Sequence, residues 1–232
     1  MKKINLFFFH FSGGNKFSLQ SLAENLSEHI QPVFLELPGR GTRFNEPLLT
    51  DIYKIIDDIM EQIKDTFHNP YAFYGHSLGT YIAYLLTKKI IANEYPQPRH
   101  IFVSGNKGPS VAPKIYHNLP DNIFINELKI LGGCPADFFE SNELIRLFLP
   151  VLRADFKAYE DFKYSVSQKF MIPMTVMNGS DENYPHSDVM KWQDETNLPI
   201  DVSYFSGGHF FIFQHKTAIG EIISKALPLD SE

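Results

Sequence analysis

Tyr71-Ala72-Phe73-Tyr74-Gly75-His76-Ser77-Leu78-Gly79-Thr80-Tyr81-Ile82-Ala83-Tyr84-Leu85-Leu86 decides how this chain is read. It opens as an apolar strand-like run, closes as a helix-like one, and holds G-x-S-x-G at the junction, the context of a nucleophile elbow. A serine hydroxyl is a weak nucleophile at neutral pH. It needs a base, sharp exposure, and donors for the oxyanion that forms when it attacks. A tight turn with small flanking residues supplies the exposure, and the N–H of Leu78 supplies one donor. With Ser77 as nucleophile, the chain reads as a hydrolase or acyltransferase.

Outward from this junction, short apolar runs alternate with amphipathic ones. Strands are expected over Lys3–His10, Pro32–Leu37, Tyr71–Gly75, His100–Ser104, Ile172–Asn178 and Asp201–Phe205. Helices are expected over Phe17–His29, Leu49–Phe67, Leu78–Asn93, Asn142–Lys163, Ser187–Thr196 and His215–Ala226. That alternation predicts an α/β fold with a mostly parallel central sheet flanked by helices. Between about residues 108 and 164 it stops. This stretch has Pro/Gly punctuation, helical pieces and aromatics (Phe138, Phe139, Phe148, Phe156, Tyr159, Phe162), and reads as a helical lid inserted in one domain spanning residues 1–232.

Composition narrows the classes. The 232 residues are 44% hydrophobic and 21% charged, with a net charge of −6 and no basic block, which argues against nucleic acid or an anionic membrane as partner. The single Cys134 excludes an internal disulfide framework and a thiolate-rich zinc site. Ile4 to Phe11 is apolar but short and interrupted, and reads as a buried first strand rather than a leader. No apolar stretch approaches the roughly 20 residues of a membrane span. A cytoplasmic monomer is expected.

With this elbow, the partners follow in the order acid, then histidine. His209, in Ser206-Gly207-Gly208-His209, follows the last expected strand on a loop freed by two glycines, and is the expected base. Asp181 ends the preceding strand in Asn178-Gly179-Ser180-Asp181-Glu182 and is the expected acid, with Glu182 its nearest rival. The second oxyanion donor is expected from Phe11-Ser12-Gly13-Gly14, through the backbone N–H of Ser12 or Phe11, beside that of Leu78.

The motifs together resemble the type II thioesterases of nonribosomal peptide and polyketide synthesis, within the α/β-hydrolase superfamily. Leu37-Pro38-Gly39-Arg40-Gly41 with Arg43 and Glu46-Pro47 is similar to the LPGRGxRxxEP signature. Ser104-Gly105-Asn106 resembles an SGR segment, and Leu131-Gly132-Gly133-Cys134-Pro135 resembles a GGTP motif. Leu149-Pro150-Val151-Leu152-Arg153-Ala154-Asp155-Phe156 is similar to LPxLRADF, and Gly207-Gly208-His209-Phe210-Phe211 completes the set. His10, Ser12, Asn106-Lys107 and Cys134 depart from the usual residues. The resemblance implies an editing enzyme that removes acyl groups from phosphopantetheinylated carrier proteins through an acyl-enzyme, without metal or diffusible cofactor. A lipase or carboxylesterase, and a chain-releasing thioesterase or cyclase, are the alternatives. Arg40, Arg43 and Arg153 have two readings: contact with a phosphate or acidic carrier, or salt bridges such as Arg153–Asp155 and Arg43–Glu46.

Overall fold

The computed structural model describes residues 3–134 and 136–229. Six strands, β1 (Ile4–Phe9), β2 (Ile30–Phe34), β3 (Tyr71–His76), β4 (Ile101–Ser104), β5 (Met174–Gly179) and β6 (Ile200–Phe205), form one sheet in the order β2-β1-β3-β4-β5-β6. Every strand pair is parallel. The eight α-helices of the described residues are α1 (Gln20–Ala23), α2 (Ile52–Ile63), α3 (Leu78–Ala92), α4 (Asp121–Leu131), α5 (Ala136–Glu140), α6 (Asn142–Glu160), α7 (His186–Val189) and α8 (Lys216–Ala226).

A parallel sheet covered on both faces needs apolar residues at both strand parities, which is why β1 reads as a continuous run. Phe7 and Phe9 enter the core shared with α2 and α3; Ile4, Leu6 and Phe8 enter the opposite core with Leu22 of α1 and Ile219 and Ile223 of α8. Pro32 is tolerated because β2 is an edge strand, where a missing N–H costs no central ladder bond. Helix α3 is buried on nearly every side, from Leu78 to Ile90, because it lies between the sheet, α2 and α6.

All six expected strands are present, with ends that coincide or shift by at most three residues. Two expected helices are not continuous α-helices. Within Phe17–His29 only Gln20–Ala23 is α-helical, and Ser187–Thr196 divides into α7 and the 3₁₀ segment Met190–Asp194. The stretch between β4 and β5 carries α4, α5 and α6, whose Phe124, Leu128, Phe138, Leu152 and Phe156 form a small core of their own. The aromatics of this stretch are less exposed than their sequence suggests. Phe138, Phe156 and Phe162 are buried, and Tyr159 and Phe162 pack edge-on against Tyr81 of α3.

Candidate active site

The order of the sheet reverses at β1, whose neighbours β2 and β3 lie on opposite sides of it. In open α/β sheets the crevice beyond the strand ends at such a point is the ordinary ligand site. Ser77 follows β3 there, and Ser12 follows β1.

Ser77 has φ 56° and ψ −115°, a left-handed conformation that a non-glycine residue adopts at a cost of about 1–3 kcal/mol. Close packing of the strand-to-helix turn enforces it. A Cβ on Gly75 would stand 2.1 Å from the Gly79 carbonyl oxygen, and one on Gly79 would stand 2.0 Å from that of Phe9. Both glycines are therefore required for α3 to start this close to β1 and β3. The Ser77 N–H donates to the Ser104 carbonyl at 2.9 Å, the Thr80 hydroxyl bonds the Gly75 and Ser104 carbonyls, and Asn106 Nδ2 donates to the Ser77 carbonyl at 3.3 Å. Leu78 is the first residue of α3, so its N–H has no partner within the helix and lies at the positive end of the helix dipole.

His209 is buried, and its Nδ1 lies 2.7 Å from Oε1 of Glu182. The other oxygen of Glu182 accepts the Gly179 N–H at 2.8 Å, so this carboxylate is anchored on both sides. Asp181, the expected acid, does not reach His209. It is exposed and accepts from the Ser180 hydroxyl at 2.7 Å. The reason is the turn: β5 ends in the 3₁₀ segment Ser180–Glu182, where consecutive residues point about 120° apart. Asp181 turns to solvent, and Glu182 folds back onto the strand end. The spacing Gly179-x-x-Glu182, a glycine followed three residues later by glutamate, matches the cap-to-N3 interval at which such a carboxylate reaches back to a backbone N–H, and could have signalled this.

Two further buried histidines, His76 and His10, lie near the elbow. His76 has Nδ1 3.0 Å from the Ser104 hydroxyl, and its ring centroid is 5.0 Å from that of His209. Burial, and then the charge on His209, pushes its pKa well below the usual imidazole range. His10 is lowered to about 4 by burial and then by Arg40. Both rings are therefore held neutral by their surroundings. Phe210 packs edge-on against His209 at 5.1 Å and against Phe11 at 4.9 Å, tying the histidine loop to the loop after β1.

Ser77, His209 and Ser12 line one cavity of about 560 Å³, within the usual size of a small-molecule pocket. Its remaining wall comes largely from the helical stretch, through Leu128, Leu131, Phe138, Phe148, Leu152 and Phe156. Cys134 also lines it, and burial pushes its thiol pKa up, away from the reactive thiolate.

The three arginines are engaged within the chain. Arg40 is buried and makes a two-pronged pair with Asp155, both bonds 2.6 Å. Arg43 bridges Glu46 and Asp58, as the local reading anticipated for Glu46. Arg153 bonds the carbonyls of His117 and Leu119 and the Asp121 carboxylate, and stacks over Phe124. The expected Arg153–Asp155 pair does not form, because residues two apart on a helix face different sides.

A parallel sheet with a strained serine at its switch point and an imidazole–carboxylate pair beside it defines a serine hydrolase of the α/β-hydrolase fold. The thioesterase domain model matches residues 4–227, and the chain belongs to that family. It is 32% identical over 230 residues to the gramicidin S biosynthesis protein GrsT of Aneurinibacillus migulanus, covering 98% of this chain and 90% of that one. Among solved structures it is similar to ClbQ from the colibactin NRPS/PKS pathway (TM-score 0.91, 28% identity, 97% of each chain). It is also similar to the type II thioesterase BorB from the borrelidin biosynthetic cluster (TM-score 0.88, 27% identity, 97% of this chain and 93% of that one). The resemblance to type II thioesterases of nonribosomal peptide and polyketide synthesis therefore holds across nearly the whole chain.

Proposed function

We propose that this protein hydrolyses acyl thioesters carried on the phosphopantetheine arm of a synthetase carrier protein, through a Ser77–His209–Glu182 triad. The observation that carries the reading is His209, held by the anchored Glu182, lining one apolar cavity together with Ser77. The relatives' pathways support the carrier as substrate.

The chemistry follows from the geometry. Ser77 Oγ attacks the thioester carbonyl while His209 takes its proton; Glu182 holds the imidazole in the required tautomer and stabilises the imidazolium. The N–H groups of Leu78 and Ser12 receive the oxyanion, a contribution of about 10²–10³ in turnover per donor. The carrier thiol leaves with the proton from His209. Water, deprotonated by the same histidine, then attacks the acyl-enzyme and releases the free acid. Helices α4–α6 act as a lid that shelters the acyl group and keeps bulk water from the ester. The strained backbone at Ser77 keeps its hydroxyl exposed at the strand end.

One carrier protein loaded with a panel of acyl groups, treated with the enzyme and followed by intact-mass spectrometry, tests the substrate. Removal of acyl groups at rates well above those on matched free oxyesters is expected. A strong preference for the free esters would move the assignment to a carboxylesterase, and a cyclic product would move it to a chain-releasing enzyme.

A further inference from the structure

The motifs around Arg40 and Asp155 play no part in the triad, yet they meet at one buried contact. Asp155, fully buried on α6, receives both prongs of the Arg40 guanidinium, and its Oδ2 also accepts the Gly13 N–H at 2.7 Å. Arg40 Nη1 donates in addition to the Gly14 carbonyl at 3.3 Å. The segment Phe11–Gly14, which carries the expected oxyanion donor of Ser12, is thus gripped at its N–H and its carbonyl by one charge pair. Gly13 has φ +78°, and a Cβ there would come within 2.5 Å of Leu152, one turn before Asp155 on α6. The same face of α6 therefore supplies the cavity wall and the grip.

A buried ion pair is weak evidence of stabilisation, since apolar residues of similar volume often serve as well. What a charge pair adds here is direction. Charge-assisted bonds are short, and the two-pronged geometry allows one orientation of the carboxylate. We propose that Asp155, oriented by Arg40, is a positioning residue that sets the oxyanion loop through Gly13, so that the helical stretch over the cavity holds the oxyanion donor in place. The proposal rests on the Ser77 mechanism above. It predicts a loss confined to the tetrahedral state, because the loop meets the substrate oxygen most strongly once that oxygen bears charge.

The test compares wild type, Asp155→Asn and Arg40→Lys. Asn has a single oxygen, so in either orientation its NH₂ faces one prong of Arg40, and in one of them the Gly13 N–H as well. Lys keeps the charge and loses one prong. Three quantities are read: kcat and KM on an acyl thioester, affinity for an acyl trifluoromethyl ketone, and affinity for a non-hydrolysable thioether analogue of the substrate. The ketone reports the tetrahedral state, because Ser77 Oγ adds to its carbonyl while the serine proton passes to His209. For folded Asp155→Asn, kcat should fall ten- to a hundredfold with KM near wild type. Ketone affinity should fall in proportion and thioether affinity should stay within about twofold. Arg40→Lys should move the same way by less, and it decides the question if Asp155→Asn does not fold. Equal losses for ketone and thioether, or unchanged kcat, would overturn the proposal. Thioester turnover that survives Ser77→Ala would overturn the mechanism itself, whereas turnover lost in Ser77→Ala but unmoved in the two clamp variants would overturn the clamp alone.

Discussion

The carboxyl edge of the sheet and the helical stretch between β4 and β5 meet at the cavity but are built differently. The edge is set by backbone contact. Gly75 and Gly79 let α3 sit against two strands, and the Ser77, Glu182 and His209 loops leave adjacent or near strands of one apolar core. The helical stretch has a small core of its own, rests on α3 through Tyr159 and Phe162, and is fastened further by buried carboxylates. Asp155 holds Arg40 and Gly13, and Glu160 accepts the N–H groups of Tyr116 and His117 together with the His117 ring. A geometry fixed by backbone packing is hard to loosen with one side chain, while one fixed by polar contacts can be loosened at a single atom.

The largest expected effects lie at the edge. Ser77→Ala should lower turnover by roughly 10⁴-fold or more with the fold intact, read by thioester hydrolysis and thermal melting. Glu182→Gln and Asp181→Asn sharpen the local assignment. The first should cost about 10³–10⁴ in kcat, by analogy with removal of a triad carboxylate, and the second should stay within a few-fold. The reverse order would restore Asp181 as the acid.

The difference between these two carboxylates also marks how far the sequence reaches. The strands follow from apolar runs such as Ile4–Phe9, where only Asn5 interrupts residues buried toward both faces, and Ser77 and His209 follow from their loops. Asp181 against Glu182 turns on the phase of a three-residue 3₁₀ segment, which periodicity in the flanking strand does not carry. Expected helix Phe17–His29 fails for a related reason: Phe17 is 58% exposed, and the segment closes through successive i→i+3 turn bonds. The partner of Asp155 lies 115 residues away at Arg40, so no local spacing could announce it.

In the helical stretch the effects should appear in stability before activity. Glu160→Gln removes a buried charged acceptor from two backbone N–H groups and an imidazole, and should destabilise by about 1–3 kcal/mol. Thermal melting should show it as a drop of several degrees, with hydrolysis of a small ester within about threefold of wild type. An unchanged melting temperature would mean that the apolar core alone holds this stretch.

The sheet carries its own weakness, in buried histidines. His10 and His100 are both lowered to about 4, chiefly by burial. Below pH 6.5 the unfolded chain protonates these rings and the folded chain does not, so stability falls as pH drops from about 6.5 to 4, and levels off below. Each ring contributes on the order of 3 kcal/mol across that window. Urea midpoints across this range should show the slope, and His100→Gln, which can keep a bond to the Thr175 hydroxyl, should flatten it. A slope unchanged by His100→Gln would exclude His100 as a source.

The central claim is that Ser77 carries the acyl group in turnover. Acid-quenched samples taken during the first turnovers of an acyl-carrier thioester, digested and read by peptide mass spectrometry, test it directly. The acyl mass should appear on the peptide containing Ser77 and be absent from Ser77→Ala. An acyl group on the Cys134 peptide instead, or free acid formed with no adduct at Ser77, would contradict the account.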